Sequence, residues 1–323
     1  MARNSRKRTQ KKLNKAAASI VLVLLLSLLG FVLKDKLPIS LSGETNNTLP
    51  TGGPVSGQLE VHYIDVGQAD SIFLACGGEY MLIDAGETDS EDTVIHYLSD
   101  LGIERLDLVV ATHAHSDHIG EMDDVLHAIP ADTVWYPDYR HGSKTETNFL
   151  TAAQNCGANL YEPALGETYE LGEATVTVLG PVKEYDDPND MSIVILVQFG
   201  SDRFLFTGDM ENTDAAENDL IAHWGEDALK ADVLKVGHHG ASTSTSYHFL
   251  RAVAPAYGVI SVGTGNKYGH PTQETLNILG QAGVKIYRTD YLGTVVAVSD
   301  GTNIKFSWAK GEANPYIPGS ENE

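Results

Sequence analysis

The stretch THAHSDHIGEM, residues 112–122, crowds His113, His115, Asp117 and His118 into six positions at the exit of the apolar run LDLVVA. Imidazole and carboxylate side chains pressed together repel or desolvate one another unless a cation lies between them. Whatever fold the chain adopts must hold this loop at a strand end and bring further ligands to it from distant segments. His113 and His115 stand two apart, and Asp117 and His118 are adjacent, so a turning loop directs them into two neighbouring metal pockets. Nitrogen and carboxylate donors suit zinc best, and manganese or iron also accept them.

From Leu59 onward, short apolar strands alternate with amphipathic helices. LEVHYIDV, SIFLAC and YMLIDAG read as three successive strands, with turns at Gly67–Asp70 and Gly77–Glu79. SEDTVIHYLSDLG reads as a helix capped by Asp89 or Ser90 and stopped at Gly102. VTVLGP, SIVILVQFG and RFLFTGD follow as strands, then a helix through ENDLIAHW, the strand ADVLKVG and the polar loop HHGASTSTS. A helix near SYHFLRAV, the strand YGVISVG, the helix TQETLNILGQAG and the strands VKIYRTD and GTVVAVS complete the domain. This grouping suits two sheets packed face to face and covered by helices, although the alternation alone also suits a doubly wound parallel sheet.

The N-terminus stands apart. A basic segment, residues 1–15, precedes the apolar run AAASIVLVLLLSLLGFVL within residues 16–36, about long enough to cross a bilayer. The basic flank places the remainder outside the cytoplasm, on a single-pass signal anchor. A cleaved signal peptide with a secreted product has the same layout, although no small-x-small site follows the run. Residues 37–57, rich in Gly, Pro, Ser, Thr and Asn, read as a flexible linker, residues 58–310 as the globular domain, and residues 311–323 as a polar tail. Residues 1–36 hold nine Lys or Arg against one acid; with −22 on the whole chain, the remainder carries −30. Such a body repels polyanions at long range. Lys144, Lys235, Lys267 and Arg288 are the residues from which a local basic path could be assembled. Cys76 and Cys156 can pair or stay free, and two cysteines exclude a disulfide scaffold.

Taken in order, IDVGQADSIFL, LIDAG, ATHAHSDHIG, FLFTGD, ADVLKVGHHGAS and NKYGHP resemble the hydrolase domain of ComEC-type competence proteins, a branch of the metallo-β-lactamase superfamily. Secreted phosphorylcholine esterases are a second similar group. The resemblance covers about residues 58–308 and implies an α/β fold, the four-layer αββα sandwich, with two divalent metals at one edge of the sheets. By resemblance, Asp84 orients a metal-bound histidine, Asp209 bridges both metals, and His239 completes the second site with Asp117, His118 and Asp209. His238 then faces substrate, and Asp117 also counts among the candidate catalytic carboxylates. His270, in YGHP, sits at the cleft mouth, where it binds an anionic oxygen or protonates a leaving group. Gln68 and Asp70 are expected to line the pocket.

The chain departs from the wider superfamily at the third histidine of the first metal. His127 and His141 lie in the interval where that residue is sought; His127 falls on a helix face turned to solvent, and His141 sits in the loop DYRHGSK. PNDMSIVI occupies the matching position. The first site then keeps His113, His115 and Asp209, with waters or Asp190 filling it, and fewer ligands imply weaker occupancy. The reading is a membrane-anchored, extracytoplasmic, metal-dependent hydrolase acting on phosphodiesters: DNA, or a small choline- or nucleotide-type ester. Hydrolysis of carboxylic substrates (β-lactam, thioester or lactone) is the alternative, and a metal-binding module without turnover is a third.

Overall fold

The computed structural model describes residue 49, residues 55–88 and residues 92–311. The expected basic segment, signal anchor, most of the linker and nearly all of the tail lie outside the described residues. Among the described residues, no helix is long and apolar enough to cross a membrane.

In chain order the strands are β1 (Leu59–Tyr63), β2 (Ile72–Cys76), β3 (Glu79–Ile83), β4 (Leu106–Val110), β5 (Ala131–Trp135) and β6 (Asn159–Tyr161). After them come β7 (Thr168–Leu171), β8 (Ala174–Gly180), β9 (Val194–Phe199), β10 (Asp202–Phe206) and β11 (Val233–Lys235). Last are β12 (Tyr257–Ile260), β13 (Lys285–Arg288), β14 (Val295–Ser299) and β15 (Ile304–Trp308). An eight-stranded sheet runs β15-β14-β1-β2-β3-β4-β5-β6, and a seven-stranded sheet runs β13-β12-β11-β10-β9-β8-β7. The two-sheet expectation holds over the doubly wound one.

Alternation of side chains along each strand makes the layers. Inward residues such as Val61, Leu74, Ile83 and Val110 meet Val176, Ile195, Val197 and Phe204 of the other sheet in one buried cluster. The opposite faces are equally apolar. Phe73, Leu82 and Val109 pack on Val94, Leu98, Leu126 and Phe149 of the outer helices; Leu205, Leu234 and Ile260 pack on Leu220, Leu250 and Leu279. Strands covered on both sides read as nearly continuous apolar runs, and LDLVV and VILVQF are each interrupted by a single polar residue, Asp107 and Gln198. Cys76 lies in the inter-sheet core, Cys156 caps the helix Lys144–Asn155, and both are free thiols.

Strands β3 to β6 are mutually parallel, as are β10 to β13. Parallel strands direct their carboxyl ends to one rim, where ligands bind in open α/β sheets. Asp84 follows β3, the crowded loop follows β4, Asp209 follows β10, and His238 and His239 follow β11. The helix Thr93–Asp100 starts later than expected: Asp92 precedes it in left-handed conformation, and its N–H donates to Glu121 Oε1 at 2.9 Å. A carboxylate from another segment thus receives the helix start, and the expected caps Asp89 and Ser90 lie outside the described residues.

Candidate metal centre

Asp84 is where the site begins. It is buried, in left-handed conformation (φ 56°), and its carboxylate accepts the Thr112 N–H and the Thr112 hydroxyl, both at 2.8 Å. Its Oδ2 also accepts His118 Nδ1–H at 2.7 Å. Because Thr112 gives its proton to Asp84, its oxygen is left to accept His113 Nδ1–H at 3.1 Å. His239 Nδ1 donates to the Ser261 carbonyl at 3.0 Å. Three imidazoles are thus held by their Nδ1 protons, and each presents an Nε2 lone pair to the rim.

Those lone pairs converge. Ligand atoms of Asp117, His118, Asp209 and His239 all lie within 4.8 Å of one another. Asp209 Oδ2 is 3.2 Å from His118 Nε2 and 3.8 Å from His239 Nε2, and Asp117 Oδ2 is 3.5 Å from His239 Nε2. Yet His118 Nε2, His239 Nε2 and Asp209 Oδ1 are buried with no hydrogen-bond partner among the described residues. Orphaned polar atoms aimed at one point fit a divalent cation held by two nitrogens and two carboxylates. Beside this cluster, His113 Nε2 faces His115 Nδ1 at 3.1 Å, two lone pairs that repel unless a cation or proton joins them.

The backbone is forced to serve this geometry. His238 (φ 47°) and His239 (φ 51°) are consecutive left-handed residues, a conformation costing on the order of 1–3 kcal/mol each. The turn persists because Gly237 N–H donates to Thr245 Oγ1, His238 N–H to the Gly208 carbonyl and Ala241 N–H to the His238 carbonyl. Gly208 is also left-handed (φ 52°), and a Cβ there would meet Ser192 Oγ at 2.8 Å. Ser192, inside the segment PNDMSIVI, accepts the Asp209 N–H at 3.1 Å and lies 3.4 Å from His113 Nδ1. A buried serine therefore occupies the neighbourhood of the sought third histidine.

The electrostatics ask for positive charge. Burial would lower the pKa of His118, but Asp209 and Asp84 prevail and raise it well above the ordinary value. Burial likewise opposes His239, which Asp209 and Asp70 push up to about 10. Asp117, despite burial, is held down to about 2 by His239 and His118. A cation entering this cluster must displace the protons that balance it otherwise. Titrating zinc into metal-free protein at pH 7 is expected to release about one to two protons per cation. Calorimetry in buffers of different ionisation enthalpy reads this number, and zero release would contradict the assignment. Affinity should weaken as pH falls, because the same nitrogens are then held by protons.

A cleft of about 490 Å³ opens over the cluster, and His115, Asp117, Asp209, His238, His239 and His270 line it. His238 Nδ1 pairs with Glu211 Oε1 at 2.6 Å, and its Nε2 lies 3.6 Å from Asp209 Oδ2. Despite burial, Glu211 and Asp209 raise its pKa. His270, its ring 5.6 Å from that of His238, is shifted the other way by burial and by the charges of His238 and His239. Asn266 fixes the His270 loop, accepting the His270 N–H at 3.0 Å and donating to the His270 carbonyl at 2.6 Å.

Several residues stand elsewhere than expected. Gln68 lines the cleft, but Asp70 lies behind it, buried, bonded to Lys235 Nζ at 2.7 Å and 3.5 Å from His239 Nδ1. Asp190 does not line the cleft; its Oδ1 accepts the Glu211 N–H at 2.8 Å, and Asn189 is the neighbour that reaches the wall. Lys235 is fully buried, and Arg288 is paired twice to Asp290, so neither belongs to a surface basic path. Lys267 does lie near the site, its ammonium 4.9 Å from the Tyr268 ring on the rim. His127 is exposed, whereas His141 lines the cleft. Thr112, Ser192, Glu211, Ser261 and Asn266 went unassigned in the sequence, since a hydroxyl, amide or carbonyl beside a ligand leaves no spacing signature.

A two-sheet sandwich with histidines and aspartates gathered at its parallel-strand ends is the frame of a metal-dependent hydrolase. A family profile described as Metallo-beta-lactamase superfamily matches residues 64–264, and the chain belongs to that superfamily. It is 32% identical over 262 residues to ComE operon protein 3 of Bacillus subtilis (strain 168), covering 75% of this chain and 33% of that protein. It is 31% identical over 233 residues to Competence protein ComA of Neisseria gonorrhoeae, covering 72% of this chain and 31% of that one. The chain thus spans about a third of the length of these curated relatives, both ComEC-type competence proteins. Among solved structures, the metallo-beta-lactamase fold protein YhfI from Bacillus subtilis is similar in fold. Its TM-score is 0.52 at 14% identity, over 75% of this chain and 100% of that one.

Proposed function

We propose that this metal-dependent hydrolase is a phosphodiesterase, acting on nucleic-acid strands or on small nucleotide- or choline-type esters, anchored to the membrane by residues 16–36 with its globular domain outside. The observation that carries the metal reading is the convergence of His118 Nε2 and His239 Nε2 on Asp209, with both nitrogens and Asp209 Oδ1 buried and without hydrogen-bond partners among the described residues. Zinc is the cation the donor set favours, with manganese next. Asp117, His118, Asp209 and His239 would hold one ion; His113, His115 and Asp209 would hold the other. Bound cations supply Lewis acidity and make hydroxide available near neutral pH.

The chain supplies the rest. Glu211 Oε1, 2.6 Å from Nδ1, orients the His238 imidazole and raises its pKa, and in the protonated form its Nε2–H can donate to a phosphoryl oxygen. His270, on the same wall and with its pKa lowered by burial and by His238 and His239, can accept a proton from, or donate one to, a group at the cleft mouth. Two histidines whose surroundings push them apart divide the acid and base roles. Lys267 beside Tyr268 adds a cation and an aromatic face at the rim, which suits a nucleotide better than a bare alkyl ester.

Turnover by zinc- or manganese-loaded protein should be measured on bis-p-nitrophenyl phosphate, single-stranded DNA, a choline phosphodiester and nitrocefin. Hydrolysis of phosphodiesters with nitrocefin untouched is expected. A His238→Gln variant should lose about 10²–10³-fold in kcat while keeping its metal. Preferential turnover of nitrocefin would replace the phosphodiesterase reading with the carboxylic one.

A further inference from the structure

We propose that His141 supplies the third nitrogen ligand of the open cation position at His113 and His115, replacing the histidine whose neighbourhood Ser192 occupies; this rests on the two-cation reading above. His141 follows β5, one parallel strand beyond the crowded loop, and lines the cleft. Its ring stands edge-on to that of His115, with centroids 5.5 Å apart, close to the 4.8 Å between His113 and His115. Imidazoles sharing one ion are neighbours at such separations, because each nitrogen must come within about 2.0–2.1 Å of it.

The loop that carries His141 is anchored from beneath. Glu146, only 3% exposed, accepts the Gly142 N–H at 2.6 Å, the Tyr136 hydroxyl at 2.8 Å and the His141 N–H at 3.4 Å. A buried carboxylate beneath an exposed loop is costly unless several donors satisfy it, and here they come from the backbone of residues 141 and 142 and from the strand-end tyrosine. Ser143 holds the same helix start by accepting the Glu146 N–H at 3.0 Å. The helix Lys144–Asn155 therefore fixes the backbone at His141 while its side chain turns to the cleft. Ser192 cannot take the role, since its hydroxyl is enclosed between the Asp209 amide and Gly208.

The test uses the full chain, stripped of metal and titrated with zinc against a chelating indicator, for wild type, His141→Ala and His141→Asp. Wild type should take two equivalents. His141→Ala should keep the tighter one within about twofold and weaken the second by about 10–100-fold, and His141→Asp, which restores a ligand, should recover part of that loss. Cobalt spectra should show the matching loss of one nitrogen donor. A second equivalent unchanged in His141→Ala, or both equivalents weakened alike, overturns the proposal and leaves the phosphodiesterase reading intact. Wild type that takes up no zinc overturns both.

Discussion

An Asp209→Asn variant will bind divalent cations about a thousandfold more weakly than wild type and will lose ester hydrolysis to the same degree. Asp209 Oδ2 lies 3.2 Å from His118 Nε2 and 3.8 Å from His239 Nε2, and its charge also acts on His113 and His115. An amide preserves its shape and its backbone bond to Ser192 but removes the charge that raises His118 and His239. Burial would push the Asp209 carboxyl up, yet His118 and His239 hold it well below the usual range. Chelator competition gives the affinity and kcat/KM gives the activity. Retention of two tight cations together with activity within tenfold of wild type would remove Asp209 from the centre of the account.

Lys235→Met is expected to cause the largest loss of stability. The Lys235–Asp70 pair is closed from water on both sides, with the ammonium 2.7 Å from Asp70 Oδ2 and 3.1 Å from the Val236 carbonyl. Removing one member of such a pair strands the other charge, at a cost of about 3–5 kcal/mol. For a domain of this size that lowers Tm by about 10 °C or more. Methionine fills nearly the same volume, so the effect is electrostatic and not a cavity. The double variant Lys235→Met with Asp70→Asn has no stranded charge and should regain most of the loss, a strongly non-additive pair. Additive destabilisation, or a Lys235→Met protein as stable as wild type, would show that the pair does not act as a unit. The pair also bears on the metal cluster, because Asp70 sits 3.5 Å from His239 Nδ1 and shares that nitrogen with the Ser261 carbonyl.

How legible the molecule was depends on which physical signal each part emits. LDLVV, VILVQF and DRFLF are legible because strands buried on both faces are largely apolar, here interrupted only by Asp107, Gln198, Asp202 and Arg203. β5, β6 and β7 were passed over: ADTVW and TYEL mix polar and apolar residues, and NLY is three residues long. They lie toward one edge of their sheets, where one face is partly open, and so is the closing strand β15, IKFSW.

In the site, ligand types at short spacing were readable as a metal-type constellation, and the geometry gathers Asp117, His118, Asp209 and His239. What spacing could not say was which acid points inward. Asp190 and Asp70 flank the site as Asp209 does, but a backbone amide takes the first and a buried lysine the second. The same limit applies to cations: Lys235 and Lys267 look alike in sequence, and only packing sends one into the interior and the other to the rim. His141 gave no local signal either, because its approach to His115 depends on Glu146 holding the backbone from below.

Loops after β3, β4, β10 and β11 converge on a cluster fitted to hold a divalent cation. Crystals of the protein grown with zinc, with diffraction recorded on both sides of the zinc absorption edge, test it most directly. An anomalous peak about 2.0–2.2 Å from Asp117, His118, Asp209 and His239 is expected. Zinc-saturated crystals with no anomalous density among these four side chains would contradict it.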